Sequence, residues 1–594
     1  MGETADRARG RTACAPALMC GLIVAWMAMG AAHARAATLS VCPHGCRYSQ
    51  VADAAAAARN GDTVRVAPGT YRGGFAIDKD LTLAGAGAPA TVIRGGGPVI
   101  TVGTELGATE PTVSIHGVTI TRGLTQTAFG DSIEALGGGV YIPAATGFTP
   151  GATVTISDSV ITDNVAAPSS SVDAGFSCGP TGDCTFAHAG GGGVDSWGDL
   201  TLDHAVITNN QAAGLVTSDA NGAGVYSQDG TLTVRDSVIA GNRATVANGR
   251  FAEGAGIMAD TFFSPPGTCV APAPTCALTV ERSVVTGNAS TVRSTFPVFG
   301  DGQLIDMLAN AGGIHVGDGI PTSVDNTAIV GNSATATDPN GEPNAIDSAM
   351  IVGDSPLTMR DVSVSFNRAS TTNATSTDFG PNGDPLELDG PGQLTRLSLI
   401  GNVSKTSSAA GFAGIVGGVA VLNFSGDPQL VTIRDSVISG NSAEADNQTG
   451  SAQALGGGVF NNSLLDLEGV QITGNRASAS GPTGEAQGGG IWNGVDLSGP
   501  PVELTVAHSS VTRNVVTGSA GIAASGGGLF TNTPVTLLGT RIALNRPDQC
   551  VGCGLQSFAA RRRAGAGTSR HHRPVMATPF ALHSVRTMAA GRSG

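Results

Sequence analysis

The sequence predicts an all-β protein: a single-stranded, right-handed parallel β-helix of about 12 coils, with three short strands per coil and an N-terminal helical cap. Three observations predict it. A motif of one aliphatic residue, two intervening residues and an Asn recurs eleven times, from Ile161/Asn164 to Ile542/Asn545. Each motif follows an alternating triplet such as Val154-Thr155-Ile156 or Leu232-Thr233-Val234, the period of a half-buried strand. Each triplet usually follows a glycine cluster that ends in one aliphatic residue, as Gly191 to Val194 and Gly488 to Ile491 do. No helix-length periodic segment separates these pieces, which excludes helical horseshoes and ordinary crossover sheets.

In chain order, residues 1–36 read as a signal peptide. Arg7, Arg9 and Arg11 precede an apolar run from Ala15 to Ala32, and Ala34-Arg35-Ala36 suits signal peptidase. Cleavage after Ala36 leaves no expected membrane span in the mature chain and places it outside the cell. Residues 37–60 form the expected cap, because Val51, Ala54, Ala55 and Ala58 share one helical face and an open solenoid end exposes unpaired strand edges. Residues 61–556 form the solenoid. Successive Asn positions are 31 to 46 residues apart, and the variation falls between each Asn and the next glycine cluster, so the loops are expected along one edge. At about 4.8 Å per coil the rod would be roughly 60 Å long. The Asn column is expected to turn a corner in left-handed geometry and to bond from rung to rung. Residues 557–594, with seven Arg and no acid, read as a disordered tail.

Charge and cysteine narrow the partners. Residues 37–556 carry 21 basic against 44 acidic residues, a surface that repels phosphate backbones and argues against nucleic acid. The cysteines left after cleavage fall into four close pairs, Cys42/Cys46, Cys178/Cys184, Cys269/Cys276 and Cys550/Cys553. Tight, even pairing suggests four local disulfides. Zinc is disfavoured, since no second Cys or His pair at ligand spacing accompanies Cys550 and Cys553.

The segment Gly61-Asp62-Thr63-Val64-Arg65-Val66-Ala67-Pro68-Gly69-Thr70-Tyr71, with Ile77-Asp78-Lys79-Asp80-Leu81-Thr82-Leu83-Ala84-Gly85 and Thr91-Val92-Ile93, resembles the opening coils of pectin-lyase-like right-handed β-helix proteins. The later glycine and Asn units resemble the repeats of polymorphic outer-membrane proteins. The first resemblance implies the fold, and its family includes polysaccharide lyases, pectin esterases and polygalacturonases. Their motifs are missing from this sequence: there is no Asp-Asp pair and no Gly-His-Gly, and a fold does not transmit an activity.

Three groups of residues are candidate sites. The column after each glycine cluster reads Tyr141, Asp195, Tyr226, Met258, His315, Ala420, Phe460, Trp492 and Phe530. Strand alternation puts it outside. Unless inserted loops fold over them, its rings, Tyr141, Tyr226, Phe460, Trp492 and Phe530, would stack on sugar faces or meet a partner protein. A second column, Asp158, His204, Asp236, Arg282, Asn326, Asp361, Asp435, Gly469, His508 and Gly539, has the composition of a turn. Asp195, Asp199, Asp203 and His204, near Trp197, are the least poor catalytic candidates, short of a site. Third, acidic loops carry Asp338, Glu342 and Asp347, then Asp384, Glu387 and Asp389. Such oxygen-rich loops suit Ca²⁺ without following a calcium-binding pattern; no cofactor is required. The leading expectation is a secreted, non-enzymatic protein presenting an extended face to an extracellular polysaccharide or a surface protein. The alternative is a polysaccharide lyase or glycoside hydrolase on the same scaffold. An enzyme needs convergent acids and bases in a groove, a binder only an exposed stripe.

Overall fold

The computed structural model describes residues 36–554 except 108–109, 127–132, 146–150, 169–186, 215–217, 262–275, 294–306, 339–342, 377–382, 424–428 and 496–501. The expected signal peptide, the tail, Glu342, Cys178, Cys184 and Cys269 therefore lie outside the described residues, apart from Ala36. Cys42–Cys46 and Cys550–Cys553 are disulfides, and Cys276 is also disulfide-bonded.

Every strand pairing between coils is parallel, and one coil shows the plan. Leu200–Asp203 joins a first sheet, Val206–Thr208 a second, Gln211–Gly214 a third, Ser218–Asn221 a fourth and Val225–Gln228 a fifth, before Thr231–Arg235 returns to the first. The coil is thus five-stranded, where three strands were expected. The first, second and fifth sheets hold the strands that aliphatic alternation reveals. The third and fourth escape it because their inward residues are small: Ala212, Ala244 and Ala334 on one, Ala189, Ala220, Ala252, Ala309 and Ala345 on the other, all buried.

The cross-section accordingly has two lobes. Val64, Ile115, Leu202, Val234, Ile239 and their equivalents fill a continuous aliphatic core between the first, second and fifth sheets. Each such side chain contributes about 1.5–3 kcal/mol on full burial, and it is the coils above and below that bury it. A separate alanine-rich core fills the lobe of the third and fourth sheets. Small side chains let those two sheets lie close together.

The neck between the lobes is built by Asn and Gly. Asn164 Nδ2 donates to Asn210 Oδ1 at 3.0 Å, Asn210 to Asn242 at 3.1 Å and Asn242 to Asn288 at 3.0 Å. The chain of amides continues to Asn545, which donates to Gln549 Oε1 at 3.2 Å. The rung-to-rung bonding is as expected, but the left-handed residue is the one before each Asn: Asp163, Asn209, Gly241 and Gly287 have φ of 56°, 56°, 66° and 63°. The turn thereby drives the Asn side chain inward, where its amide must be satisfied. Gly193 faces this ladder. A Cβ there would lie 2.5 Å from Gly224 O and 2.9 Å from Asn210 Nδ2, so the cluster is glycine because two backbones and an amide meet.

The first sheet has 15 strands, more levels than the 12 or so expected, because four strands precede the first Asn coil: Thr38–Val41, Asp62–Val66, Leu81–Gly85 and Thr112–His116. Insertions leave at two corners instead of one. Residues 294–306 fall between strands of the third and fourth sheets, whereas 262–275 fall between the fifth and the first. The helix Val51–Ala57 sits in the expected cap and buries Val51, Ala54 and Ala55 against the first coils.

Candidate functional site

The fourth and fifth sheets meet at a tight left-handed turn, Gly137, Gly191, Gly222 and Gly254 in successive coils, with φ of 51° to 61°. So sharp a turn makes their outer faces converge. On the fourth sheet the register aligns Glu134, His188 and Asp219. On the fifth it aligns Tyr141, Asp195, Tyr226, Met258 and His315, then Ile351, Glu387, Ala420, Phe460, Trp492 and Phe530. The column read from the sequence is therefore one continuous ladder, with Ile351 and Glu387 added to it.

Its environment differs from expectation. Asp195 is 0% exposed, Tyr226 2%, Phe460 5% and Trp492 6%, while Tyr141 and Phe530 are partly buried. The aromatic residues do not form an exposed stripe. Phe460 and Trp492 stack at 4.6 Å between centroids and 2° between planes. Val416, Leu422 and Leu455 close over them and Phe530 packs alongside, while Trp492 Nε1 donates to Gln487 Oε1 at 3.0 Å. The strands that follow the Asn turn, invisible to the aliphatic pattern, supply this cover.

In the first coils the corner holds acids, phenols and an imidazole. Tyr141 Oη donates to Oε2 of the exposed Glu105 at 3.0 Å. Glu134, partly buried, has its pKa raised by burial and then by the charge of Glu105. Burial, with the acidic neighbours Asp195 and Glu105 adding to it, keeps Tyr141 a phenol. Behind them Asp195 accepts hydrogen bonds from Gln228 Nε2, at 3.4 Å, and from the Trp197 side chain, while its Oδ2 has no partner among the described residues. Burial and then Glu134 push its pKa well up. The His188 ring lies 5.6 Å from that of Tyr226; its edge reaches solvent, yet the surrounding protein pushes its pKa down to about 4. Burial raises Asp219 to about 7. The floor of the corner is thus polar and lined by carboxyl groups that burial makes hold their protons more tightly than usual, with Glu105 exposed at its mouth.

Of the catalytic candidates only Asp195 lies here. Asp199 Oδ1 accepts the Thr231 N–H at 3.0 Å, a strand-end link. Asp203 and His204 sit at the turn between the first and second sheets, where every residue of the second column has positive φ, from 45° at Arg282 to 68° at Gly469. Asp203 pairs with Arg235 at 2.9 Å and with His204 at 2.8 Å, and Asp236 pairs with Arg282 at 2.8 Å. The Arg235 hydrogen bond holds Asp203 below the usual carboxylate range. This column is a solvent-facing ladder of ion pairs. Glu105, Glu134, His188 and Asp219 carry no repeat signature, so nothing in their local pattern singles them out. Of the acidic-loop residues, Asp347, Asp384 and Glu387 come together, with one ligand atom from each lying within 4.8 Å of the others. Asp389 is close enough to raise their pKa values. Asp338 is buried in the third sheet.

No protein family matches the chain, and no curated protein matches it. Among solved structures it is similar to the A-module of the Azotobacter vinelandii mannuronan C-5 epimerase AlgE6, with 14% identity over 82% of this chain and 92% of that chain and a TM-score of 0.31, a likeness too slight to bear on chemistry. What the chain is, on this footing, is a parallel β-helix with a titratable corner.

Proposed function

We propose that the protein is a secreted glycoside hydrolase that works on a neutral glycan lying in the corner of the fourth and fifth sheets. The observation that carries this reading is the pair of carboxyl groups in unlike surroundings: Glu134, whose pKa is raised by burial and by Glu105, and Glu105, exposed and held by the Tyr141 hydroxyl. Glycoside hydrolysis asks for that division, one protonated acid for the leaving oxygen and one carboxylate for the water or the anomeric carbon. Glu134 is the acid and Glu105 the carboxylate. Tyr141 positions Glu105 by hydrogen bonding. Asp195, buried behind them, favours the protonated form of Glu134, since any charge it carried would raise that pKa further.

The polar floor favours sugar hydroxyls over uronates, since a polyuronate would bring further anions to a wall lined by Glu105, Glu134, Asp195 and Asp219. Disulfides at Cys42–Cys46 and Cys550–Cys553 suit an oxidising compartment.

The test is incubation of the mature protein with neutral and uronate-containing polysaccharides, following new reducing ends and unsaturated products. New reducing ends from a neutral glycan are expected, falling about 10²–10⁴-fold in Glu134→Gln and in Glu105→Gln at unchanged thermal midpoint. Unsaturated products would point to a lyase instead. If no substrate is cleaved and the wild type merely retains a glycan, the binding protein expected first is the better account.

A further inference from the structure

We propose that Asp347, Asp384 and Glu387 bind a Ca²⁺ ion at the corner where the fourth and fifth sheets meet, a site independent of the hydrolase reading. The first six strands of that sheet end at Pro343–Ile346, and the equivalent position is next strand-like at Phe412 to Val416. In the coil between, residues 377–382 lie outside the described residues and 383–385 lead directly into Leu386–Leu388. Asp347 holds the left-handed corner, φ 53°, that Gly137, Gly191, Gly222 and Gly254 hold in earlier coils. The Ser348 N–H donates to Asp384 O at 2.9 Å, much as Gly138 donates to Gly191 O at 3.0 Å, so Asp384 lies in the next coil beside Asp347, immediately after Gly383, which holds the positive φ of 101° there. Glu387 comes from the outward ladder of the fifth sheet one coil on from Ile351. A corner residue, the residue after the next coil's corner and one strand residue thus bring three carboxyl groups together.

Their burial is what asks for a ligand. Asp347 and Asp384 are 0% exposed and Glu387 3%, yet neither oxygen of Asp347, neither oxygen of Asp384 nor Oε2 of Glu387 has a hydrogen-bond partner. Ser348 Oγ and Asp389 Oδ1 beside them are also buried without one. Unpaired buried carboxyl oxygens cost free energy that folded proteins avoid. Paired acids elsewhere meet basic side chains, as Asp203 and Asp236 meet arginines and Asp446 meets Lys405; among the described residues no basic side chain pairs with these three. A hard dication satisfies all of them at once. Oxygens around one Ca²⁺ sit about 2.3–2.6 Å from the ion, hence within roughly 5 Å of each other, and one ligand atom from each of the three residues lies within 4.8 Å of the other two. Three carboxylates supply up to six oxygens, which is the low end of calcium's coordination number.

The experiment uses the full mature chain, stripped with a chelator, dialysed and reloaded with CaCl₂. One tightly held Ca²⁺ per chain by elemental analysis, with a thermal midpoint that rises on loading, is expected. The double substitution Asp347→Asn/Asp384→Asn should weaken binding on the order of 100-fold, as charge count sets affinity in oxygen sites, and should abolish the rise. Because two changes in a coil corner can themselves unfold the chain, Glu387→Gln alone is a second arm, expected to keep the fold and lose affinity. A stripped wild type that takes up no Ca²⁺ would overturn the proposal. So would a folded double variant that binds as the wild type does, or binding that is lost in Asp203→Asn, a member of the exposed group Asp203, His204 and Asp236. The alternative, three carboxyl groups that stay neutral by sharing protons, predicts instead that Asp384→Asn raises the midpoint without any calcium response.

Discussion

The carboxamide of Asn288 uses every hydrogen-bonding position it has. Its Nδ2 donates to Asn332 Oδ1 at 3.0 Å and to Ile239 O at 3.1 Å, and its Oδ1 accepts both the N–H and the Nδ2 of Asn242 at 3.0 Å. Neither Asp nor Leu can do this: Asp lacks the two donors and Leu lacks everything. Asn288→Ala leaves buried donors and acceptors above and below without partners, at about 1–3 kcal/mol for each such group. Asn288→Asp should be worse, because a carboxylate would face two acceptor oxygens. Chemical denaturation checks both, and a cost under about 1 kcal/mol for Asn288→Ala would mean that the ladder follows the coil geometry without stabilising it. Gly193→Ala should destabilise for a steric reason, since the added Cβ would sit 2.5 Å from a neighbouring carbonyl oxygen. The Asn repeat was legible in the sequence because it recurs. Which residue of the turn takes the left-handed conformation was not, because Asp163, Asn209, Gly241, Phe366, Arg513 and Leu544 all do so at that position. The strain is imposed by the stacked coils and not chosen by residue type.

Among elements, the fifth sheet shows how far alternation can be trusted. It correctly separates the inward Val459, Ile491 and Leu529, all fully buried, from the outward Phe460, Trp492 and Phe530. It cannot say whether outward means solvent. Here the strands Ser451–Leu455 and Thr483–Gln487 fold beside the outer face, so Trp492 behaves as a core residue. Trp492→Ala should cost about 3–5 kcal/mol by thermal or chemical unfolding. A ring that served as an exposed sugar platform would cost far less, so a small loss of stability with a large loss of glycan retention would reverse this account. The corner in the earlier coils was legible only in part. Asp195 and Tyr141 stood out as members of a ladder, whereas Glu134 and His188 sit on strands that lack aliphatic alternation, and Glu105 comes from outside any repeat. Tyr141→Phe tests the positioning role: it removes only the hydroxyl bonded to Glu105, and a fall in kcat with little change in KM is expected.

At the scale of the whole molecule, the acids divide into two sets with opposite pH behaviour. Arginine partners hold Asp203, Asp236, Asp325 and Asp361 below the usual range; their small stabilisation is present above about pH 4 and lost as the pH falls further. Burial raises Asp195, Asp347, Asp384 and Glu387, and raises Asp219 and Asp389 to about 7. A folded state that holds protons more tightly than the unfolded chain is stabilised below the unfolded pKa, and that stability drains away as pH rises through the folded one. In chelator, the thermal midpoint should therefore peak on the acid side of neutrality and fall through about pH 7, and Ca²⁺ should flatten the alkaline fall. A midpoint that climbs steadily from pH 5 to 8 without calcium would contradict the burial of these groups. The sequence by itself determined the stacked coils, the inner aliphatic ladders and the amide ladder, because each is a local pattern repeated from coil to coil and stacking only adds like to like, and the helical cap, because its apolar face lies within one short segment. Tertiary structure decided the second, alanine-filled lobe, the cover over the aromatic ladder and the convergence of acids in the corner. Those depend on which outward faces turn toward each other, and a tight glycine corner sets that angle without leaving any periodic trace in the residues it brings together.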